Sequence, residues 1–294
     1  MSADIFDEFE TDVYEDLRWR KSEIQNFFTE LKYPDVDIVS QQILEKAIRK
    51  SLILLIYSHW EGFIKRGSKR YLKYIVDKKV PLKDLQDCFK ILAMKGNFVS
   101  VSSEIRQSEK ESFSFDIYKK VVEDYNDKLT KVFFLNIDMN KEKDGSIIDT
   151  AGNLKAEIFK KIYNCLGIPF YKCLEENPEI DFIETSGRDC NLITQILDKT
   201  LLISRNHIAH GNKHNVLTLL EMDRLEALKN LIFTLMDKFV DDILSFAENE
   251  FYLANNLSSA KSHIELQNED LKENLTDIVS LYIRSLSETE ESVD

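Results

Sequence analysis

Residues 204–211 read Ser-Arg-Asn-His-Ile-Ala-His-Gly. Arg205 and His210 bracket four residues, and their side chains suit the splitting of an RNA phosphodiester. Cleavage through the sugar's own 2′-hydroxyl has three requirements. The hydroxyl must lose a proton, phosphorus must take a fifth oxygen, and the 5′-oxygen must leave with a proton. An imidazole titrates near neutrality and can give or take those protons. A guanidinium presents a planar fork of donors to a phosphate gaining negative charge. RNA carries its own nucleophile, so this chemistry needs no metal and no other cofactor. It would leave a 2′,3′-cyclic phosphate and spare DNA. Against this stands a plain structural reading, in which Arg205 and His210 merely serve the last turn of a helix. His207, His210 and His214 also form a conceivable metal cluster. Their spacing is permissive, but no carboxylate or cysteine lies beside them, and no metal is expected.

Geometry constrains the pair. An ideal helix turns about 100° per residue, so Arg205 and His210 would stand roughly 140° apart on one unbroken helix. Either the chain bends between them or a second subunit completes the site.

The elements that must position these residues read as helices. Among 294 residues there are only 8 Gly and 4 Pro, while 43% are apolar and 31% charged. Scarce turn residues and long amphipathic runs argue against a sandwich or barrel. Apolar spacing predicts helices over 5–32, from Ser40 past Tyr74, over 81–93, from Phe115 to Leu129, over 154–166 with Asn153 as cap, over 190–206 and over 218–254. Short extended segments are expected at 131–137 and 146–149, and the Ser-rich stretch 100–114 reads as an exposed connection. The expected organisation is one helical domain over 1–260 with an insertion at about 95–190, followed by an acidic, helical tail over 261–294. Cys88, Cys165, Cys173 and Cys190 form no C-x-x-C pair and read as reduced thiols. The acidic N-terminus does not resemble a secretory leader, and the longest apolar run, Leu52 to Tyr57, is too short to span a bilayer. A cytoplasmic location with no membrane contact is expected.

The net charge of -13 is unevenly placed. Residues 1–16 contribute -7 and residues 261–294 contribute -6, so residues 17–260 are neutral overall. Residues 65–83 carry eight bases and one acid. Local charge, not the total, attracts phosphate. Lys65, Arg66, Lys69, Arg70 and Lys73 are therefore candidate RNA-binding residues, although such a run often marks a solvated helix face. The acidic ends could serve solubility, or could cover a basic groove.

Arg205-Asn206, followed by Ile208-Ala209-His210-Gly211, resembles the signature of the HEPN superfamily. Two other stretches are similar to a prokaryotic HEPN nuclease branch: Leu54-Leu55-Ile56-Tyr57-Ser58-His59-Trp60-Glu61-Gly62-Phe63, and Asn153-Leu154 through Leu166-Gly167-Ile168. The resemblance covers about residues 40–255. It implies an all-α HEPN-like bundle that forms a homodimer, the two motif copies meeting in one composite ribonuclease site. It also implies His210 for proton transfer, Arg205 for phosphate charge and Asn206 as their polar neighbour. Glu61 is a candidate support that would hold Arg205 by a charge-assisted hydrogen bond, and His207 a second polar contact. Relatives of this kind are often toxins or phage-defence effectors, which makes a neutralising antitoxin or defence partner protein a candidate partner here. Some are modified on a tyrosine two residues beyond the motif histidine, where this chain has Asn212. A non-catalytic nucleotide-binding or protein-interaction module of the same fold is the alternative.

Overall fold

Burial of amphipathic faces builds a helical bundle. The computed structural model describes residues 2–32, 38–107, 115–139, 148–150, 152–182, 190–211 and 221–291. Helix α1 (Ser2–Lys32) lies along the long α2 (Ile38–Asp77), and both pack on α9 (Met222–Glu248). Between them come α3 (Asp87–Gln107), α4 (Phe115–Leu129), α5 (Ala156–Leu166) and the short α6 (Lys172–Glu175). The stretch before the motif is α7 (Leu192–Thr194), a π-helical run over Gln195–Leu202, and α8 (Ile203–Ala209). Helix α10 (Leu257–Glu291) closes the order. Among the described residues there is no strand, and the all-α architecture expected from the sequence holds.

One apolar core joins these helices. Trp60 of α2 meets Phe159 of α5 edge-on at 4.9 Å, and Phe63 meets Phe239 of α9 at 6.2 Å. Leu192, Ile193, Ile196, Leu197, Thr200 and Leu201 are all buried, as their spacing predicts. A polar knot sits within this packing. The fully buried Asp242 accepts from Tyr163 (2.9 Å), Tyr171 (2.7 Å) and Lys238 (2.7 Å). Burial raises the Asp242 carboxyl above its ordinary range, while these three donors pull it back.

Several boundaries differ from the sequence expectation. The predicted helix over 81–93 is a 3₁₀ turn over Leu82–Asp84, after which α3 runs through Gly96 to Gln107. Polar contacts from α4 support α3 there: Asn97 donates to Asp124 at 2.7 Å, and Lys128 reaches the Ala93 carbonyl at 3.0 Å. Residues 108–114 lie outside the described residues. The extended segment expected at 131–137 makes a single antiparallel bridge, Pro81 to Val132. Of the one expected at 146–149, residues 146 and 147 lie outside the described residues. Asn153 does not cap α5: Lys155 holds that position, and the Ala156 N–H donates to Asp198 at 2.8 Å. The stretch 261–294, expected as a tail apart from the 1–260 domain, supplies most of α10. Its Ile264, Leu271, Leu275, Val279 and Tyr282 belong to the same buried core.

Candidate active site

One face of α2 carries the site. Leu54, Tyr57, Ser58, Glu61, Gly62, Lys65, Arg66 and Lys69 recur at three- and four-residue intervals, so they stack along one side of the helix. Arg20 from α1, Arg205 and Ala209 from α8, and Met139 and Ile148 from the segments after α4 close around that face. They enclose a groove of about 650 Å³.

Arg205 is half-buried and held on two sides. Its Nη1 donates to Asn206 Oδ1 at 2.8 Å, and its guanidinium lies 5.0 Å from the centre of the Tyr57 ring. A cation over an aromatic face is attracted by the ring quadrupole. Tyr57 is itself pinned. Its hydroxyl accepts from the Leu154 N–H at 3.0 Å and hydrogen-bonds to Glu61. Burial is the main cause that pushes the phenol up to about 12, with Glu61 adding to it and the Leu154 N–H and Arg205 opposing. The phenol therefore stays protonated at neutral pH.

Glu61 does not hold Arg205 directly. Its Oε1 accepts from Thr150 at 2.5 Å and pairs with Lys65 at 2.9 Å. The expected bond is replaced by an indirect link, because the Tyr57 ring lies beneath the guanidinium and its hydroxyl engages Glu61.

His210 lies elsewhere. Helix α8 is unbroken through Ala209, and His210 caps it with its N–H on the Asn206 carbonyl at 3.0 Å. Gly211 comes next at φ 71, a left-handed conformation that ends the helix and suits glycine. The His210 side chain is exposed and does not line the groove that Arg205 enters. Of the two routes open to the sequence, a bend between the pair is thus not taken. His207 is half-buried, and its Nδ1 is sequestered without a hydrogen-bond partner among the described residues. His214 lies outside the described residues, as does Asn212.

The basic run on α2 divides. Lys65, Arg66 and Lys69 line the groove, with Lys69 donating to the Asp138 carbonyl at 3.1 Å. Arg70 instead turns to α1, where Asp16 and Asp12 stand at 3.4 and 3.6 Å. Lys73 pairs with Asp77 at 2.7 Å. Arg70 is rotated about 100° from Lys69 toward α1, and Lys73 lies one turn beyond the last α2 residue that lines the groove.

Sequence reasoning missed Arg20. It falls on the apolar stripe Val13, Leu17, Ile24, Phe28, and a cation at an inward position was the available signal. Its Nε pairs with Asp16 at 3.1 Å and its Nη1 lies 3.4 Å from His59 Nδ1. Gly62 makes room: a β-carbon there would meet the guanidinium at 3.0 Å. Glu23 approaches the other side of the His59 ring at 2.8 Å. Burial, then Arg20, lowers the His59 pKa against the pull of Glu23 and Asp16.

A π-helical run was also missed. Over Gln195–Leu202 the backbone accommodates an extra residue per turn, marked by Thr200 Oγ1 donating to the Gln195 carbonyl at 2.7 Å. Such runs are frequent beside functional sites because they re-aim the side chains of the next turn. Here the run directly precedes the helix that carries Arg205.

A profile described as HEPN_MAE_28990-like HEPN matches residues 9–252. That span holds every residue lining the groove and both ends of the Arg-x4-His motif. The chain belongs to this HEPN family. No curated protein and no solved structure matches it. The HEPN match ends before α10, so the helix that seals one side of the core lies beyond the family span. Among the described residues, no helix of this HEPN chain is long and apolar enough to cross a membrane.

Proposed function

We propose that the chain is a metal-independent endoribonuclease, with Arg205, His210 and Asn206 as its working residues. The observation that carries this reading is the setting of Arg205, fixed by Asn206 and Tyr57 beside a cation-lined groove in a HEPN protein. In the reaction the 2′-oxygen bonds to phosphorus while an imidazole takes its proton. Charge grows on the non-bridging oxygens, where the guanidinium donates. The bond from phosphorus to the 5′-oxygen then breaks, and that oxygen leaves with a proton from an imidazolium. The products are a 2′,3′-cyclic phosphate and a 5′-hydroxyl.

His210 stands outside the groove that Arg205 lines, so one copy does not assemble the constellation. The proposal therefore includes a homodimer in which two motifs face each other and the two histidines share base and acid roles. A part in growth arrest or phage defence, with a neutralising partner protein, rests on the family resemblance.

The test is end-labelled RNA incubated with excess EDTA, using wild type, Arg205→Ala and His210→Ala. The expected result is cleavage by wild type to cyclic-phosphate ends, with a loss of at least about a hundredfold in each variant. Cleavage abolished by EDTA, or retained in His210→Ala, would overturn it. A second reading, a phosphate- or nucleotide-binding HEPN module without catalysis, is favoured by the same separation of Arg205 from His210. It predicts RNA binding that Arg205→Ala weakens, with no new ends formed.

A further inference from the structure

The groove extends well beyond the residue that would meet the scissile phosphate. Arg205 sits over Tyr57, while Arg66 lies nine residues further along α2, half a helical turn round from Tyr57 at the far edge of the same groove. At 1.5 Å per residue that separation is about 13 Å along the helix axis. A stacked strand rises about 3.4 Å per nucleotide. Cations at these two places would therefore meet phosphates of one strand roughly two to four nucleotides apart, depending on how far the strand is extended.

Arg66 is suited to the outer position. It is exposed, lines the groove, and has no ion pair or hydrogen bond among the described residues. Its neighbours are committed elsewhere: Lys65 to Glu61, Lys69 to the Asp138 carbonyl, and Arg20 to Asp16. With no partner among the described residues, the Arg66 guanidinium can turn its donors to a phosphate, while its cationic neighbours keep contacts of their own. The groove also offers apolar contacts, from Leu54, Met139 and Ala209, against which sugars and bases can lie. A duplex turns its bases inward and could present only its outer backbone to a recess of this size. A single strand can place both phosphates and bases in it.

We propose that the groove is a length-reading subsite for single-stranded RNA, with Arg66 binding a backbone phosphate two to four nucleotides from the one cleaved. This rests on the ribonuclease reading for the chemistry at Arg205, and adds to it a preference for strands long enough to reach Arg66. It does not depend on base identity, since the groove side chains that carry it are cationic or apolar.

The test uses the full-length His210→Ala chain, which keeps the groove and does not turn over its ligand. Fluorescein-labelled RNA single strands of two, four and eight nucleotides, and an eight-base-pair duplex, are titrated by anisotropy at several salt concentrations. Arg66→Gln is compared with Lys161→Gln, which removes an equal charge from an exposed residue of α5 paired with Glu157. The expected result is affinity that rises from two to eight nucleotides. Arg66→Gln should weaken the eight-nucleotide strand about tenfold, flatten its salt dependence by about one ion, and leave the dinucleotide unchanged. Lys161→Gln should stay within about twofold throughout. Equal losses in both variants, no change in Arg66→Gln, or duplex bound as tightly as single strand would each overturn the proposal. Failure of wild type to cleave any RNA would sink the ribonuclease reading instead, and the binding series would still decide this one.

Discussion

Tyr57 is the side chain through which the site is assembled. It lies beneath Arg205, accepts from the Leu154 backbone N–H and hydrogen-bonds to Glu61. Tyr57→Phe keeps the ring and loses the hydroxyl. It should cost about 1–2 kcal/mol of unfolding free energy in urea, and reduce RNA cleavage only several-fold. Tyr57→Leu removes the face on which Arg205 rests, and should lower cleavage far more than stability, since a leucine still fills most of the space. Equal losses of activity in the two variants would argue against a role for the ring. The sequence singles out Arg205 and His210 because a short motif names both, and the structure brings only Arg205 into the groove. Tyr57 was legible only as part of a family stretch, and its partners were not. Its contact with Leu154 spans 97 positions, and that of Glu61 with Thr150 spans 89. Periodicity within one helix carries no information about such pairs, which is why the sequence points Glu61 to Arg205 instead of Thr150. Arg20 was hidden for a related reason: an inward cation looks like an interruption of an apolar stripe until the partner helix is known.

At the level of elements, long periodic helices were legible to within a few residues, and the misses fall where tertiary contacts decide the boundary. Helices α1, α2 and α4 follow the apolar spacing closely, whereas α3 outruns a Ser-rich sequence because α4 props it through Asn97 and Lys128. Tertiary contacts override weak local preference there. The π-helical run had no sequence mark, because its apolar positions also suit an ordinary helix. Charge misled the reading of α10. Nine acids dominate residues 261–294, yet Leu275 and Val279 are fully or almost fully buried. Leu275→Ala should therefore destabilise the chain by about 2–5 kcal/mol in chemical denaturation, as a cavity in a shared core does and a tail residue does not. A second element-level prediction concerns Asp242, which ties α9 to Tyr163 of α5 and to Tyr171. Asp242→Ala strips Tyr163 of its acceptor and leaves Tyr171 and Lys238 with Gln267 alone, and should cost about 3–5 kcal/mol. A cost under about 1 kcal/mol would mean that the knot is incidental.

The whole molecule should respond to alkali through its buried phenols. Burial raises Tyr57 and Tyr74 to about 12, and Tyr71 and Tyr163 well above their ordinary value. A folded-state value above the unfolded one means that the protonated form is favoured in the native chain. The associated stability is fully present below about pH 10, where the unfolded phenols begin to ionise. It is lost as pH climbs toward and past 12. Unfolding free energy measured against pH should thus fall steeply above about 10, and the last part of the tyrosinate absorbance, that of the buried phenols, should appear together with loss of helix. Tyrosinate absorbance that reaches its full value with helix intact would contradict the burial on which this rests.

Charge is distributed on the same scale. A cleft of about 970 Å³ between α1, α9 and α10 is bordered by Glu10, Asp237, Asp241, Glu248, Asp270 and Asp277. The groove beside Arg205 is bordered by Arg20, Lys65, Arg66, Lys69 and Arg205. Two concavities, one bordered mostly by acids and the other mostly by bases, give the protein an uneven electric field. On the proposed ribonuclease reading, a polyanion nearing it at low ionic strength would be turned toward the positive mouth before any contact is made, so that encounters would be selected during diffusion instead of at the surface.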